Sequence, residues 1–253
     1  MYAVERTSNG TGFIKDHTYE EMLQLDIGSW KSPEFAGQHI WTFDQLLDFC
    51  DETNMLLNME LKNYEVFYEG LEQRVIDAIS PDKDVDGMTP ESAAAVFTGQ
   101  GRGFAPCTAE ACMALLRHYG IDSCGRHAVV IGRSPVVGRP VSMLLLRENA
   151  TVTVCHTRTP DTAALTRQAD IIITAAGAVN SLTAAHVRPG QIVLDVSMNW
   201  NGTGLCGDAD FPAVSSIVEA ITPVPGGVGA VTSAVLMAHT VRAAEYLTGE
   251  GGT

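Results

Sequence analysis

The sequence predicts an α/β fold in which a parallel β-sheet, covered by helices, occupies the C-terminal two thirds of the chain. Three observations carry this. Short apolar runs alternate with amphipathic stretches from about residue 107 onward, and strands taken alternately with helices give a parallel sheet with right-handed crossovers. The first of those runs leads directly into a turn bearing two glycines and a serine, Gly132-Arg-Ser-Pro-Val-Val-Gly138, before a helical pattern resumes. The composition also breaks near Ser80. Residues 1–80 hold 15 acids against 5 bases, and residues 81–253 hold 15 against 11. The first stretch has 11 of the 17 aromatic residues but only 5 of the 24 glycines, and beyond Lys83 every Lys or Arg is arginine. A shift of that size suggests two units of different origin, the alternative being one domain with an acidic, aromatic-rich face.

Taken in order, the first element of note is Leu71-Glu-Gln-Arg-Val-Ile-Asp-Ala-Ile79, a helical phrase that runs into Ser80-Pro81 with no Pro/Gly/Ser linker. Residues 107–119 form an amphipathic helix, with Thr108 as the expected N-cap because its hydroxyl can accept an orphan amide hydrogen bond. Gly120 stops it. His127-Ala-Val-Val-Ile131 is a short apolar run bounded by polar residues, the mark of a buried strand. A helix follows to Glu148, and Thr151-Val-Thr-Val-Cys155 is the next strand. A helix around residues 161–169 leads to the strand Asp170-Ile-Ile-Ile-Thr174, and Gln191-Ile-Val-Leu-Asp195 is another. The last helix spans about 229–247.

The turn at residues 132–138 is where chemistry is expected. A strand-to-helix turn presents free amides, the helix dipole adds partial positive charge, and glycines let the backbone approach a pyrophosphate. The spacing is not G-x-G-x-x-G, so the position between strand and helix, rather than the spacing, supports a dinucleotide site. An ordinary tight turn is the alternative. At the end of the second strand, where an NAD site usually has an acid for the ribose, the sequence reads Val154-Cys-His-Thr-Arg-Thr159. It has no acid but offers Thr157 and Arg158, with Arg133 near the same corner. Guanidinium and hydroxyl groups suit a 2′-phosphate, which points to NADP over NAD. Solvated surface arginines are the bland reading.

Other classes are excluded or disfavoured. The net charge of −14 lacks the basic footprint of a nucleic-acid or anionic-membrane binder. No apolar run is long enough to span a membrane, and the opening residues lack the order of a signal peptide, so the cytoplasm is expected. Cysteines 50, 107, 112, 124, 155 and 206 form no C-x-x-C and read as buried reduced thiols. The seven histidines show no zinc spacing. Val136 stands where a nucleophile elbow needs glycine, and no G-K-[ST] occurs.

Five segments carry a family resemblance. Lys83-Asp-Val-Asp-Gly87, Phe104-Ala-Pro-Cys-Thr108, Gly132-Arg-Ser-Pro-Val-Val-Gly-Arg-Pro140, Glu148-Asn-Ala-Thr-Val-Thr-Val-Cys-His156 and Thr222-Pro-Val-Pro-Gly-Gly-Val-Gly229 resemble, in order, the bifunctional methylenetetrahydrofolate dehydrogenase/methenyltetrahydrofolate cyclohydrolases. The resemblance implies a Rossmann-like NADP-binding domain over residues 80–253. It also implies NADP-linked oxidation of methylenetetrahydrofolate, hydrolysis of the product to formyltetrahydrofolate, and a homodimer. By the same resemblance Gly132, Arg133, Ser134 and Gly138 form the phosphate turn, and Thr157 and Arg158 lie near the 2′-phosphate. Met198, in Asp195-Val-Ser-Met-Asn199, lies beside the nicotinamide, and Gly229 and Thr232 complete the cofactor site. Asp86 is the acid that grips the pterin and the implied catalytic residue. Pro223, Gly226 and Gly227 border the substrate. No metal is implied. Ala230-Val231 departs from the usual Pro-Met, and Gly177-Ala-Val-Asn180 lacks a usual proline. The family's Tyr-x-x-x-Lys pair and Gln-Leu-Pro segment have no match: four residues before Lys15, Lys31, Lys62 and Lys83 stand Thr11, Ile27, Asn58 and Ile79.

Residues 1–79 resemble something else. Glu5-Arg-Thr-Ser-Asn-Gly-Thr-Gly12, Leu25-Asp-Ile-Gly-Ser-Trp30, Phe35-Ala-Gly37 and Asn58-Met-Glu-Leu-Lys62 resemble a glycerophosphodiester phosphodiesterase. That implies an incomplete TIM-barrel-like α/β fragment with a helix over 41–54, a strand over 56–61, Glu60 as a metal-ligand glutamate and Lys62 beside it. The family's His-Arg-Gly segment is missing, so phosphodiester hydrolysis is not expected. Three readings stay open: an NADP-dependent folate enzyme over residues 80–253, an NADP-binding module without turnover in a fusion of two incomplete genes, and a non-folding chimera in which the barrel fragment leaves strand edges unpaired. Catalysis needs the substrate held in a near-attack geometry, and the segment that does this in the family has no match here.

Overall fold

The computed structural model describes residues 3–53, 55 and 68–248. The chain forms two compact units, Met1–Val75 and Ile76–Thr253.

The N-terminal unit consists, among its described residues, of short helices and turns. Helix α1 (Tyr19–Met22) starts in a capping box, where Thr18 and Glu21 each accept the other's amide hydrogen bond. Helix α2 (Phe43–Thr53) buries none of its residues, and α3 (Leu71–Ala78) buries Val75. Asp26 organises the turn between α1 and α2. Its Oδ1 accepts from the amides of Gly28 (2.8 Å) and Ser29 (2.9 Å), and its Oδ2 from the Ser29 hydroxyl (2.7 Å) and the Gly37 amide (2.8 Å). A Cβ on Gly28 would overlap the Phe35 carbonyl oxygen. The resemblance-based helix over 41–54 is matched by α2, whereas the expected strand over 56–61, with Glu60 and Lys62, lies outside the described residues.

The C-terminal unit is a doubly wound α/β layer structure. Asp84 first fixes its entry. Its carboxylate accepts from the amides of Met88 and Thr89 and from the Thr89 hydroxyl (2.7 Å), and Thr89 caps α4 (Pro90–Thr98). Helix α5 (Cys107–His118) follows, then β1 (His127–Ile131), α6 (Gly138–Arg147), β2 (Thr151–Cys155), α7 (Thr162–Thr166), β3 (Ile171–Thr174) and β4 (Ile192–Asp195). A small antiparallel hairpin, β5 (Asn199–Trp200) with β6 (Leu205–Cys206), precedes α8 (Phe211–Ser215), β7 (Ala220–Ile221) and α9 (Val228–Thr248). The sheet runs β2-β1-β3-β4-β7, all parallel. Thr108 does not cap α5 as the sequence predicts. The N-cap position falls two residues earlier, at Pro106, and the helix's first amide, on Cys107, donates to Oδ1 of Asp86, 21 residues upstream (2.9 Å).

Strand alternation divides the core between the two faces of the sheet. Ala128, Val130, Ile171, Ile173, Ile192 and Leu194 point to α5, α6 and α9, where they meet Met113, Leu116, Val141, Leu145 and Val235. Val129, Ile131, Ile172 and Val193 point to the other face and meet Leu165, Leu182, Val187, Val214 and Val218. The chain therefore crosses on one face through α6 and on the other through α7. The direction of winding reverses between β1 and β3, and in such sheets the crevice beyond the strand ends at that reversal is where ligands bind. Of the six cysteines, only 107, 112 and 155 are buried, while 50 and 206 are half-buried and 124 is exposed. The expectation of six buried thiols is thus met by three. Burial pushes the Cys112 thiol up to about 12.

Candidate functional site

The turn after β1 is built from two interlocking glycines. Gly132 has φ +121°, and a Cβ there would run into the Ala175 carbonyl oxygen; a Cβ on Gly138 would run into the Gly132 carbonyl. Only hydrogen fits at either position, so the turn lies flat between the β3 loop and the first residue of α6. Ser134 Oγ accepts from the amides of Val137 (3.1 Å) and Gly138 (3.4 Å), capping α6 from inside the turn. Among the described residues its hydroxyl donates no hydrogen bond. The amides of Arg133, Ser134 and Val136 take no hydrogen bond among the described residues, and Arg133 and Ser134 are exposed. The turn thus presents uncommitted donors at a helix N-terminus, the chemistry of an anion site.

The end of β2 lies next to this turn, since the Gly132 amide donates to the Cys155 carbonyl (2.9 Å). There the backbone folds on His156, whose Nδ1 accepts from the Arg158 amide (3.1 Å) and whose own amide donates to Thr159 Oγ1 (2.9 Å). Thr157 and Arg158 project from that turn into solvent. The structure therefore brings Arg133, Ser134, Thr157 and Arg158 to two adjacent strand ends.

Two buried carboxylates organise the other side of the crevice, and neither is among the site residues expected from the sequence. Asp195, at the end of β4, is 1% exposed and accepts from the amides of Asp208 and Ala209, both at 2.9 Å. Burial pushes its carboxyl up to about 6; the two amides pull it down, and the neighbouring Asp208 charge pushes it up. Asp208 is fully buried and gathers six donors. Its Oδ2 accepts from Thr174 Oγ1 (3.0 Å), the amides of Ala176 (2.6 Å) and Gly177 (3.3 Å), and Ser197 Oγ (2.9 Å). Its Oδ1 accepts from the Ala178 amide and Asn199 Nδ2, both at 2.9 Å. The sequence signal for Asp208 is slight, an acid between the small residues Gly207 and Ala209. Met198 stands between two of its donors and is 69% exposed.

The loop after β7 joins the same strand end. Thr222 Oγ1 accepts from the Asp195 amide (2.8 Å) and donates to the Asp195 carbonyl (3.2 Å). Val224-Pro225 is cis, and Gly226 has φ +97°. A Cβ on Gly227 would strike the Pro223 carbonyl. Pro223, Gly226 and Gly229 are exposed around the start of α9, and Thr232 spends its hydroxyl on the Val228 carbonyl (3.2 Å). Asp86 lies apart from these strand ends in its bonding. It is exposed and holds the first amide of α5, and no hydrogen bond links it to the strand-end residues among the described residues. Beside it, His239 Nδ1 of α9 approaches the Val85 carbonyl (2.8 Å) and Cys107 Sγ (3.6 Å).

A cavity of about 280 Å³ lies elsewhere, among α4, α5, α6 and α9. Its arginines are committed to the fold: Arg117 to Glu148, Arg147 to the Ala95 and Val96 carbonyls, and Arg242 over the Phe104 ring at 5.4 Å. Among the described residues no three His, Cys, Asp or Glu side chains could hold a metal ion.

Residues 106–248 match the family described as tetrahydrofolate dehydrogenase/cyclohydrolase, NAD(P)-binding domain. Residues 3–86 match the glycerophosphoryl diester phosphodiesterase family. The bifunctional protein FolD of Paracidovorax citrulli is 54% identical over 178 residues, 70% of this chain and 62% of the relative. The protein of the same name from Methylibium petroleiphilum is 54% identical over 177 residues, again 62% of its length. The chain thus spans less than two thirds of the curated relatives it matches. Among solved structures, the bifunctional FolD methylenetetrahydrofolate dehydrogenase/cyclohydrolase of Campylobacter jejuni is 41% identical, covering 81% of this chain and 74% of that one with a TM-score of 0.71. The Trypanosoma brucei enzyme, solved with NADP and an inhibitor, is 31% identical, covering 82% and 74% with a TM-score of 0.72.

Proposed function

The chain belongs to the tetrahydrofolate dehydrogenase/cyclohydrolase family, and from that premise we propose that residues 80–253 bind NADP along the carboxyl ends of the strands and serve the oxidation of methylenetetrahydrofolate. The observation that carries the proposal is the turn after β1. Its two glycines are locked by backbone on both sides, and it offers the amides of Arg133, Ser134 and Val136 with the Ser134 hydroxyl at the start of α6. Those donors fit a pyrophosphate. Arg133 follows β1 and Thr157 and Arg158 follow the neighbouring β2, all three exposed, and residues 154–159 hold no acid; these groups fit a 2′-phosphate.

NADP, when bound, supplies the hydride acceptor. The chain's own residues bind and orient. Met198 projects beside the nicotinamide end, Gly229 and Thr232 line the start of α9, and the loop holding Pro223, Gly226 and Gly227 borders the folate. Asp86 offers its carboxylate to the aminopyrimidine edge of the pterin; its Oδ1 also accepts from the Cys107 amide. Hydrolysis of the methenyl product is the second activity of the family. The sequence holds no Tyr-x-x-x-Lys pair for it, and the matched stretch covers only 62% of the relatives. The missing pair favours a second reading, an NADP-binding module that turns over no folate. Family membership supports placing the protein in one-carbon metabolism feeding purine biosynthesis, in the cytoplasm, as a homodimer.

Calorimetric titration with NADP and NAD, followed by a dehydrogenase assay on the same protein, tests this. NADP is expected to bind at least about tenfold more tightly than NAD, a difference of about 1.4 kcal/mol, with the preference lost in the double variant Arg133→Gln, Arg158→Gln. Equal affinities refute the 2′-phosphate assignment. Turnover above the uncatalysed rate establishes the enzyme, and binding without turnover establishes the module.

A further inference from the structure

We propose that Asp208 is a positioning residue of the nucleotide site, an internal anion that fills the backbone nest after β3 and through it sets the loop carrying Met198. This rests on the NADP reading above. Three consecutive amides, those of Ala176, Gly177 and Ala178, converge on its carboxylate. A run of amides aimed at one point is an anion-binding concavity. In this chain the anion is supplied by the protein, so the nest is closed to a ligand phosphate and the turn after β1 is left as the phosphate acceptor.

The same carboxylate also reaches the β4 loop. Ser197 Oγ donates to one oxygen and Asn199 Nδ2 to the other, so the residue between them is pinned on both sides. That residue is Met198, turned outward. Asp208 is itself held, since its amide and that of Ala209 donate to Asp195. Gly207 has no room for a Cβ against the Asp195 carboxylate. The order of support runs from Asp195 to Asp208 to the two loops. All six donors come from the ends of β3 and β4 and the residues just beyond them. Thr157 and Arg158 follow β2, two strands from β3 in the sheet order. Asp208 therefore governs the nicotinamide end of the crevice and leaves the adenosine end alone.

The test uses two probes on the full chain: NADP, which spans the crevice, and adenosine 2′,5′-bisphosphate, which needs only the β1 and β2 ends. In Asp208→Asn, which keeps the shape and removes the charge, the Kd for NADP is expected to rise at least about tenfold. The Kd for adenosine 2′,5′-bisphosphate is expected to stay within about twofold of wild type. Equal weakening of both probes, or no weakening of either, overturns the proposal. If Asp208→Asn does not fold, Ser197→Ala decides. It removes one donor and leaves the carboxylate and its nest, and it is expected to weaken NADP selectively; NADP binding unchanged from wild type overturns the proposal. Wild-type protein that binds neither probe refutes the NADP reading itself, and with it this inference.

Discussion

Both units use one aspartate to gather amides, but at opposite depths. In the N-terminal unit Asp26 collects the Gly28, Ser29 and Gly37 amides and the Ser29 hydroxyl at the surface. In the C-terminal unit Asp208 collects three amides, two hydroxyls and a side-chain amide with no exposure at all. The geometry is similar and the energetics are not. Around Asp26 water can replace the carboxylate when it is removed. Around Asp208 it cannot, and every orphaned donor bears its full desolvation cost. Burial thus turns a loop-shaping contact into one on which the sheet end depends.

The largest expected effect follows directly. Asp208→Ala should destabilise the C-terminal unit on the order of 4 kcal/mol, read as a fall in the urea midpoint followed by Trp200 fluorescence in a Trp30→Phe, Trp41→Phe background. Asp26→Ala should leave that midpoint where it is and increase hydrogen exchange only at the amides around Gly28 and Gly37. Similar, small effects from both variants would erase the distinction between the units.

Gly132→Ala comes next. The residue has φ +121°, and its new methyl would meet the Ala175 carbonyl. Strained backbone and overpacking together should cost about 3 kcal/mol. The N-terminal unit holds a counterpart in Gly28, whose Cβ would overlap the Phe35 carbonyl. There the opposing backbone belongs to Phe35 in an exposed segment outside the packed sheet, so Gly28→Ala should cost less in a thermal melt. A larger loss at Gly28 than at Gly132 would show that the surface turn is the stiffer of the two.

The two units also differ in how far they could be read ahead of the structure. The runs at 127–131, 171–174 and 192–195 announce themselves as strands because both faces of a parallel sheet are buried and their interior positions are apolar, polar residues standing only at the ends; the last two are buried throughout. The glycine turn was legible for a related reason, since a local backbone demand shows in a local residue type. The hairpin of β5 and β6 was not named, although Asn201-Gly202 is a turn signal. The cap of α5 was assigned to Thr108, while Asp86 supplies the bond from 21 residues away. Asp208 and Asp195 escaped for the same reason. Their donors lie at 174–178, 197–199 and 208–209, and only the closed sheet brings them together. Periodicity reports burial; it does not report which carboxylate a remote loop will wrap.

The smallest effect expected is in pH dependence, and there the two units should respond with opposite sign. Hydrogen bonds from the backbone at Gly37 and Ser29, then the Ser29 hydroxyl and the Gly28 amide, hold the Asp26 carboxyl well below the usual carboxylate range. A lowered folded pKa gives stability that is present above the unfolded value and lost as pH falls below it. Asp195 is the reverse. Its folded carboxyl titrates at about 6 against an ordinary value of 3.8. Between those values the native state holds more protons than the unfolded chain, so this contribution falls as pH rises through that window. Hydrogen exchange measured from pH 4 to pH 7, corrected for intrinsic rates, separates the two. Protection of the Asp208 and Ala209 amides should weaken, relative to Asp195→Asn, as pH rises toward 6 and level off above it. Protection at Gly28 and Gly37 should hold across the whole range, because the opposite response of Asp26 sets in only below its unfolded value of 3.8. A shared pH response in both sets of amides would mean that the carboxylates sense one common unfolding rather than their own surroundings.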